Sequence, residues 1–348
     1  MTLNYQLFQK KDFDLSVNAT LGFNKTRVDK LNSEDTVIWS NSKNARSGWN
    51  PQYDDFCLRV GEEIGLIYGF VYDGIYTFDD FERDGFTYRL KEGVVNGLYA
   101  KNTDTALNNV FPGDPKFKDI SGPNGTPDGQ IDEYDRTVIG NTNPRLQGGF
   151  GFSGSWKNFD FNANFVYFLN FDVLNATKYR LSSSNGNSTT SPLNVLADFD
   201  YDHRWVYYGD IYNTNADGSQ SLYWMSEQLV NNSQKYDYLN EYERVNANKT
   251  LWNPMRVSSD YTTSYFVEDG SFLRLQNITV GYTLPKNLTK KWGVERLRIY
   301  FTGSNLFCLT SYSGYDPEVD IQSGLTPSVD YNRYPRSRAY LLGINLSF

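Results

Sequence analysis

The strongest constraint on the fold is a two-residue rhythm of polarity near the end of the chain, between Phe266 and Phe348. In the final run Tyr340, Leu342, Ile344, Leu346 and Phe348 share one parity, while Ala339, Gly343, Asn345 and Ser347, interrupted only by Leu341, share the other. Successive side chains of a strand point to opposite faces, so this run is a ribbon with one apolar face and one small or polar face. Leu297, Ile299 and Phe301 alternate likewise with Arg296, Arg298, Tyr300 and Thr302, and Ile278, Val280, Tyr282 and Leu284 with Asn277, Thr279, Gly281 and Thr283. Between Ser271 and Gln276 the parity breaks, because Leu273 and Leu275 are out of phase with Ile278; this predicts a bulge or an exit from an apolar band.

Earlier segments follow the same rule. Phe13, Leu15, Val17, Ala19, Leu21 and Phe23 alternate with Asp14, Ser16, Asn18, Thr20, Gly22 and Asn24. Leu3, Tyr5 and Leu7 suggest a strand before them, joined by a tight turn at Lys10 to Asp12. Phe150, Phe152 and Trp156 share a face, as do Phe159, Phe161, Ala163, Phe165, Tyr167 and Leu169, and the short Lys157-Asn158 link makes these two runs a hairpin. Leu31 to Asp55 reads as a polar surface loop. Val60 to Tyr76 reads as an aromatic-rich strand whose glycines at 61, 65, 69 and 74 let it curve or lie against another backbone.

On periodicity alone an antiparallel sandwich and a transmembrane barrel both fit. A sandwich puts charged residues on its solvated face, whereas here that face is often Gly, Ser, Thr or Asn, as in a crowded barrel lumen. Only 39% of residues are hydrophobic, mean hydropathy is -0.58, and no apolar run approaches the roughly 20 residues of a membrane helix. A barrel strand needs apolar residues at only every second position over roughly 10 residues, and aromatics at 16% suit girdles at two interfaces. The net charge of -8, without a basic stripe, argues against nucleic acid. Cys57 and Cys308 are the only cysteines, so free thiols rather than a disulfide scaffold are expected.

One stretch carries metal chemistry, the candidate calcium loop at 114-136. A calcium loop offers roughly six to eight oxygens around a sharp turn. Counting back from Asp135 as the last ligand of an EF-hand-like loop places Asp132, the Gln130 carbonyl, Gly129 and Asp128 at successive ligand or turn positions. Asp119 and Ser121 complete the set if Pro123 to Pro127 is an insertion; otherwise Asn124 and Thr126 do, more weakly. The alternative is an acidic hairpin loop held by Asx-turns with no ion.

A second stretch, within large extracellular loops expected at 175-265, is dense in aromatics. Trp205, Tyr207, Tyr208, Tyr212 and Trp224 are candidates to stack on a sugar or peptide, or else to pack the loop against itself or a partner. His203 is the only histidine, which excludes a histidine metal cluster, and no nucleophile with an obvious base is apparent. Paired carboxylates are too plentiful to single out a catalytic pair, which disfavours a β-rich hydrolase.

The run Val267 to Pro285, then Gly303-Ser-Asn-Leu-Phe307, Gly314-Tyr-Asp-Pro-Glu318 and Tyr334-Pro-Arg336, resembles the carboxyl-terminal end of the SusC/RagA family of TonB-dependent outer-membrane transporters of Bacteroidetes. Val60 to Tyr76 is similar to another signature of that family, and Gly343 to Phe348 to the signal by which outer-membrane barrels are recognised for insertion, with Leu341 at its usual polar position. The resemblance implies an all-β, antiparallel transmembrane barrel, with residues 1-348 forming the carboxyl-terminal part of a roughly 22-stranded barrel without its plug. It also implies a non-enzyme that imports a glycan or peptide across the outer membrane. Implied partners are a SusD-like surface lipoprotein, the TonB-ExbB-ExbD complex acting through amino-terminal sequence, the remaining barrel and plug residues, and outer-membrane lipid. The family usually has an uninterrupted Asp-x-Asn-Gly-Asp-Gly where Pro123 to Pro127 intrudes, which puts calcium affinity in question.

Met1 to Leu7 lacks a secretory signal, so the chain reads as a fragment whose about eight to ten strands cannot close a barrel alone. A secreted calcium-stabilised β-sandwich that binds glycans is the competing reading.

Overall fold

A computed structural model of the chain describes residues 1–32, 36–42, 53–85, 87–97, 110–182, 195–206, 212–214, 220–222, 232–254, 261–319, 324–331 and 334–348. Its backbone is a meander of long antiparallel strands: β1 (Thr2–Lys10), β2 (Phe13–Phe23), β3 (Leu146–Trp156), β4 (Phe159–Leu169), β5 (Phe272–Thr283), β6 (Arg296–Ser304) and β7 (Ala339–Ser347). Each pairs with its neighbour in this order, and Cys308–Thr310 continues the pairing along β5 beyond β6. The sheet is open: β1 and β7 lie at its edges, and β7 pairs with β6 and not with the first strands. No helix among the described residues is long and apolar enough to cross a membrane.

Register shows why these runs alternate. Val17 stands opposite Tyr5 and Phe152, Phe152 opposite Ala163, Ala163 opposite Ile278, and Ile278 opposite Gly303. Lower on the same face, Tyr282 stands opposite Phe159 and Ile299, and Ile299 opposite Ile344. One face is therefore apolar across all seven strands, and Leu21, Phe152, Val280, Ile299, Leu342, Ile344 and Leu346 on it are exposed. Soluble monomers rarely expose contiguous apolar patches beyond a few hundred Å². The parity break is absorbed by a register shift on β5, where Asn164 faces Asn277 but Phe165 faces Leu275. Skipping Gln276 restores Leu273 and Leu275 to the apolar phase.

The opposite face is hydrogen-bonded along its length. Asn164 Nδ2 donates to Asn277 Oδ1 at 2.8 Å, the Thr279 and Thr302 hydroxyls are 2.9 Å apart, and Ser155 donates to Asp14. Arg298 on β6 reaches across β5 to Asp160 on β4, its Nε donating to Oδ1 at 2.8 Å. Gly281 makes this possible, since a Cβ there would lie 2.4 Å from the Arg298 guanidinium. Small residues on this face are thus the room in which polar partners cross strands.

The connections are sorted by end. Turns at residues 11–12 and 157–158 and the 284–295 connection lie at one end of the sheet. There Trp156 and Phe159 rings stack at 6.4 Å and Phe159 meets Tyr282 at 4.7 Å, forming an aromatic belt. Residues 24–145, 170–271 and 305–338 all leave from the other end. Their described residues pack into a second body whose core holds Phe56 and Ile67 from the first, Leu174, Trp205, Trp252 and Phe266 from the second and Val329 from the third.

Here the structure departs from sequence expectation. Leu31 to Asp55 is not only loop, because Val37–Ser40 pairs with Phe56–Arg59, and Asp55 is buried where its carboxylate accepts from the Ser42 backbone N–H at 2.7 Å. Val60 to Tyr76 is not one strand but two short ones, Leu66–Gly69 and Tyr72–Ile75, belonging to different sheets. Among the described residues between Asn175 and Asp260 are two helices, α1 (Ala176–Ser182) and α2 (Asn232–Asn246), that no apolar alternation announced. Cys57 and Cys308 are free thiols, as expected.

Gly69 does lie against another backbone: a Cβ on it would meet the Thr262 carbonyl oxygen at 2.2 Å. The two segments are bridged there, the Phe70 N–H donating to Thr262 and the Ser264 N–H to Phe70. Gly69→Ala is therefore expected to destabilise the protein by roughly 1 to 3 kcal/mol. A denaturant midpoint unchanged from the parent protein would contradict this contact.

Candidate functional site

The described candidate residues lie in the body built from the three long connections. The acidic loop follows the short strand Pro115–Phe117 and ends in a 3-10 turn at Glu133–Asp135. Asp132 caps that turn, its carboxylate accepting from the Tyr134 N–H at 2.8 Å. Asp135 is fully buried and ties both ends of the loop together. One oxygen accepts from the N–H groups of Ile120 at 2.8 Å and Ser121 at 3.1 Å, and the other from Asp132 at 2.8 Å. Burial pushes the Asp135 carboxyl upward, against these hydrogen bonds and with the help of the nearby Asp119 charge.

Asp119 Oδ2 accepts from the Gly129 N–H at 2.6 Å, and Asp128 Oδ1 from Gln130 at 3.0 Å. The loop is thus closed by carboxylate-to-backbone bonds of the Asx-turn kind. It brings Asp119, Ser121, Gly129 and Asp135 together. Among the described residues no three His, Cys, Asp or Glu side chains gather into a metal-holding group. One feature does suit a cation: Asp119 Oδ1 is buried and has no hydrogen-bond partner.

Of the aromatic candidates, Trp205 is 2% exposed. Its indole N–H donates to Tyr242 Oη at 2.7 Å, and Phe78 packs on it at 5.0 Å. Its faces are taken up by core contacts, so it packs the loop and offers no platform to a ligand. Tyr207, Tyr208 and Trp224, and the side chain of Tyr212, lie outside the described residues.

The Gly314 to Glu318 motif has a structural task that sequence reasoning did not assign. Arg274, at the insertion end of β5, is buried and its Nη2 donates to the buried Asp316 at 2.5 Å. Its Nε is 3.6 Å from Glu318, which also accepts from Arg336. These four residues, Arg274, Asp316, Glu318 and Arg336, clamp the third connection onto the sheet. The one sequence signal for it was the parity break at Ser271 to Gln276: the bulge there keeps Leu273 and Leu275 on the apolar face and puts Arg274 on the opposite one.

These features define a class: an antiparallel sheet with a lipid-type outer face, a polar inner face and all of its large insertions on one side, as in outer-membrane barrels. The comparisons with known proteins agree. The chain is 27% identical over its full length to TonB-dependent receptor P3 of Formosa agariphila, and 34% identical over a third of its length to TonB-dependent receptor SusC of Bacteroides thetaiotaomicron. It is similar in fold over its whole length to a chain of the RagAB peptide transporter, with a TM-score of 0.62 at 20% identity. No family model matches. Over its whole length the chain is similar in sequence to a TonB-dependent receptor and in fold to a RagAB chain, and it spans 28% of the length of each.

Proposed function

We propose that this chain forms part of the wall and of the external cap of a transporter in the outer membrane, which imports a nutrient with energy delivered through TonB-ExbB-ExbD. The observation that carries this is the two-faced sheet with every long connection at one end. In lipid an apolar outer face is required, and unsatisfied edge groups cost several kcal/mol each, so β1 and β7 pair with further strands of the same barrel. Residues 1-348 act as one barrel segment, with the turn end in the periplasm and the insertions outside. A SusD-like surface lipoprotein closes over the insertion side, and the cargo is a glycan or a peptide; the likeness to SusC and to the RagAB peptide transporter supports both points.

The test is uptake. Cells lacking the protein should lose import of a labelled oligopeptide or oligosaccharide that the parent strain takes up, and collapsing the proton gradient in the parent should abolish the same import. Uptake that persists in either case contradicts the reading.

We propose in addition that the acidic loop holds a structural calcium ion, a reading supported by the orphaned Asp119 oxygen, with Asp128 and the Gln130 carbonyl as further donors; Ser121, Asp132 and Asp135 would join it only by turning from their present partners. Its chemistry would be bracing, not catalysis. At a calcium concentration about 100 times Kd the intact protein should gain roughly 2.7 kcal/mol of stability, and Asp119→Asn should abolish the gain. Melting curves identical in calcium and in chelator would remove the ion from the account.

A further inference from the structure

A cleft of about 330 Å³ opens where the second and third connections meet, lined by Asn175, Thr177 and Lys178 of the α1 region, Leu196 to Asp198, Ser313 to Tyr315, and Asp330. Its polar floor is already self-satisfied. Lys178 Nζ lies 3.0 Å from Glu268 Oε1 and donates to the Tyr265 carbonyl at 3.1 Å. Ser313 donates to Glu268 through both its N–H and its hydroxyl, at 2.9 and 2.8 Å, and the Lys178 N–H donates to Asn175 Oδ1 at 2.8 Å. Burial works against the Glu268 carboxylate, but the Ser313 and Lys178 contacts outweigh it and hold its pKa below the usual value. The floor therefore contributes stability above the ordinary carboxylate range, lost only as pH falls through that lowered pKa.

With Lys178 neutralised by Glu268, the cleft's remaining charges are negative. Asp330 is buried and accepts from Tyr312 Oη at 2.6 Å. Asp198 is exposed and, among the described residues, makes no hydrogen bond or ion pair. The hydroxyls of two neighbouring tyrosines are raised mainly by burial, with these carboxylates adding to it. Tyr265 is pushed up to about 12, by burial first and then by Asp198 and Glu268, and Tyr312 is raised by burial and then by Asp330. At the mouth the Tyr315 ring is 77% exposed. A carboxylate without a cation and an open aromatic ring lining the same cleft can together accept an ammonium or guanidinium group, by charge and by cation–π attraction. The volume suits a side chain with its flanking backbone.

We propose that this cleft is a recognition subsite for a basic side chain carried on a short peptide, with Asp198 as the charge partner and Tyr315 as the aromatic wall. As a binding site it stands by itself; as a capture point for cargo it rests on the import reading above. Asp198 and Tyr315 are both exposed, so Asp198→Asn and Tyr315→Ala leave the buried floor intact.

The experiment is calorimetric titration of the intact, detergent-purified protein with the tripeptides Ala-Lys-Ala, Ala-Ala-Ala and Ala-Glu-Ala, and with cellobiose. Ala-Lys-Ala should bind with an affinity that falls as salt rises, about tenfold more tightly than Ala-Ala-Ala, and Asp198→Asn should remove that margin. Tyr315→Ala should weaken Ala-Lys-Ala several-fold without changing its salt dependence. Equal binding of the three tripeptides, no binding of any, or an Asp198→Asn variant indistinguishable from the parent would overturn the proposal. Cellobiose binding that Tyr315→Ala abolishes, without a preference for Ala-Lys-Ala, would overturn it in favour of a sugar subsite. Binding as expected in a protein whose loss leaves uptake intact would defeat the import reading alone, and uptake without the binding preference would defeat the subsite alone.

Discussion

Replacing Arg274 with methionine is expected to cost roughly 3 to 5 kcal/mol, because it strands the Asp316 carboxylate in a site where it is 7% exposed. Arg274 is itself 4% exposed and holds Asp316 at 2.5 Å, so water cannot replace it without opening the junction between β5 and the third connection. Removing both charges together, with Arg274→Met and Asp316→Leu, should restore much of the loss, since the penalty lies in the unpaired ion more than in the pair. The remaining deficit reflects the Glu318 N–H, which donates to Asp316 at 3.0 Å. Chemical denaturation in detergent reads both variants. A single variant as stable as the parent would mean that the clamp is wet and that the Gly314 to Glu318 motif is not held by it.

The second large effect concerns the apolar, exposed face of β7. Ile344 is 60% exposed, stands opposite Ile299 and lies near the middle of its strand. Arginine there should cost roughly 2 to 4 kcal/mol of folding into a bilayer. Leu341 provides the decisive contrast. By hydropathy it is as apolar as Ile344, but by register it stands opposite Thr302 on the polar face. Leu341→Arg should therefore be nearly neutral. Equal costs at the two positions would show that the faces are misassigned or that the sheet does not span.

The wall was legible because a strand with two different solvents on its two faces must alternate, and Leu15, Val17, Ile299 and Ile344 do so without regard to tertiary detail. The bulge at Gln276 was legible for the same reason, as a slip in parity. The body built from the long connections was not. Its strands, such as Val37–Ser40 and Leu66–Gly69, are four residues long and buried on both sides or neither, so period-two patterning has no room to show. Trp205 illustrates the limit for sites: an aromatic side chain has the same sequence signature whether it stacks on cargo or, as here, donates to Tyr242 in a core. In the acidic loop the residue types for calcium and for Asx-turns coincide, and only the bond of Asp135 to Ile120 and Ser121 distinguishes their uses. Asp198 and Tyr315 come from different connections, and no spacing in the chain brings them to one cleft.

The central claim is that the seven-stranded sheet has lipid on one face and a polar lumen on the other. It is tested most directly by a nitroxide scan of β7 in liposomes, one label at a time at positions 340, 341, 342, 344, 345 and 346, comparing collision with oxygen and with a water-soluble nickel chelate. The account predicts oxygen-dominated collisions at 340, 342, 344 and 346 and nickel-dominated collisions at 341 and 345, a strict two-residue period set by the register of β7 on β6. Nickel access at all six positions, or oxygen access that ignores parity, would contradict it.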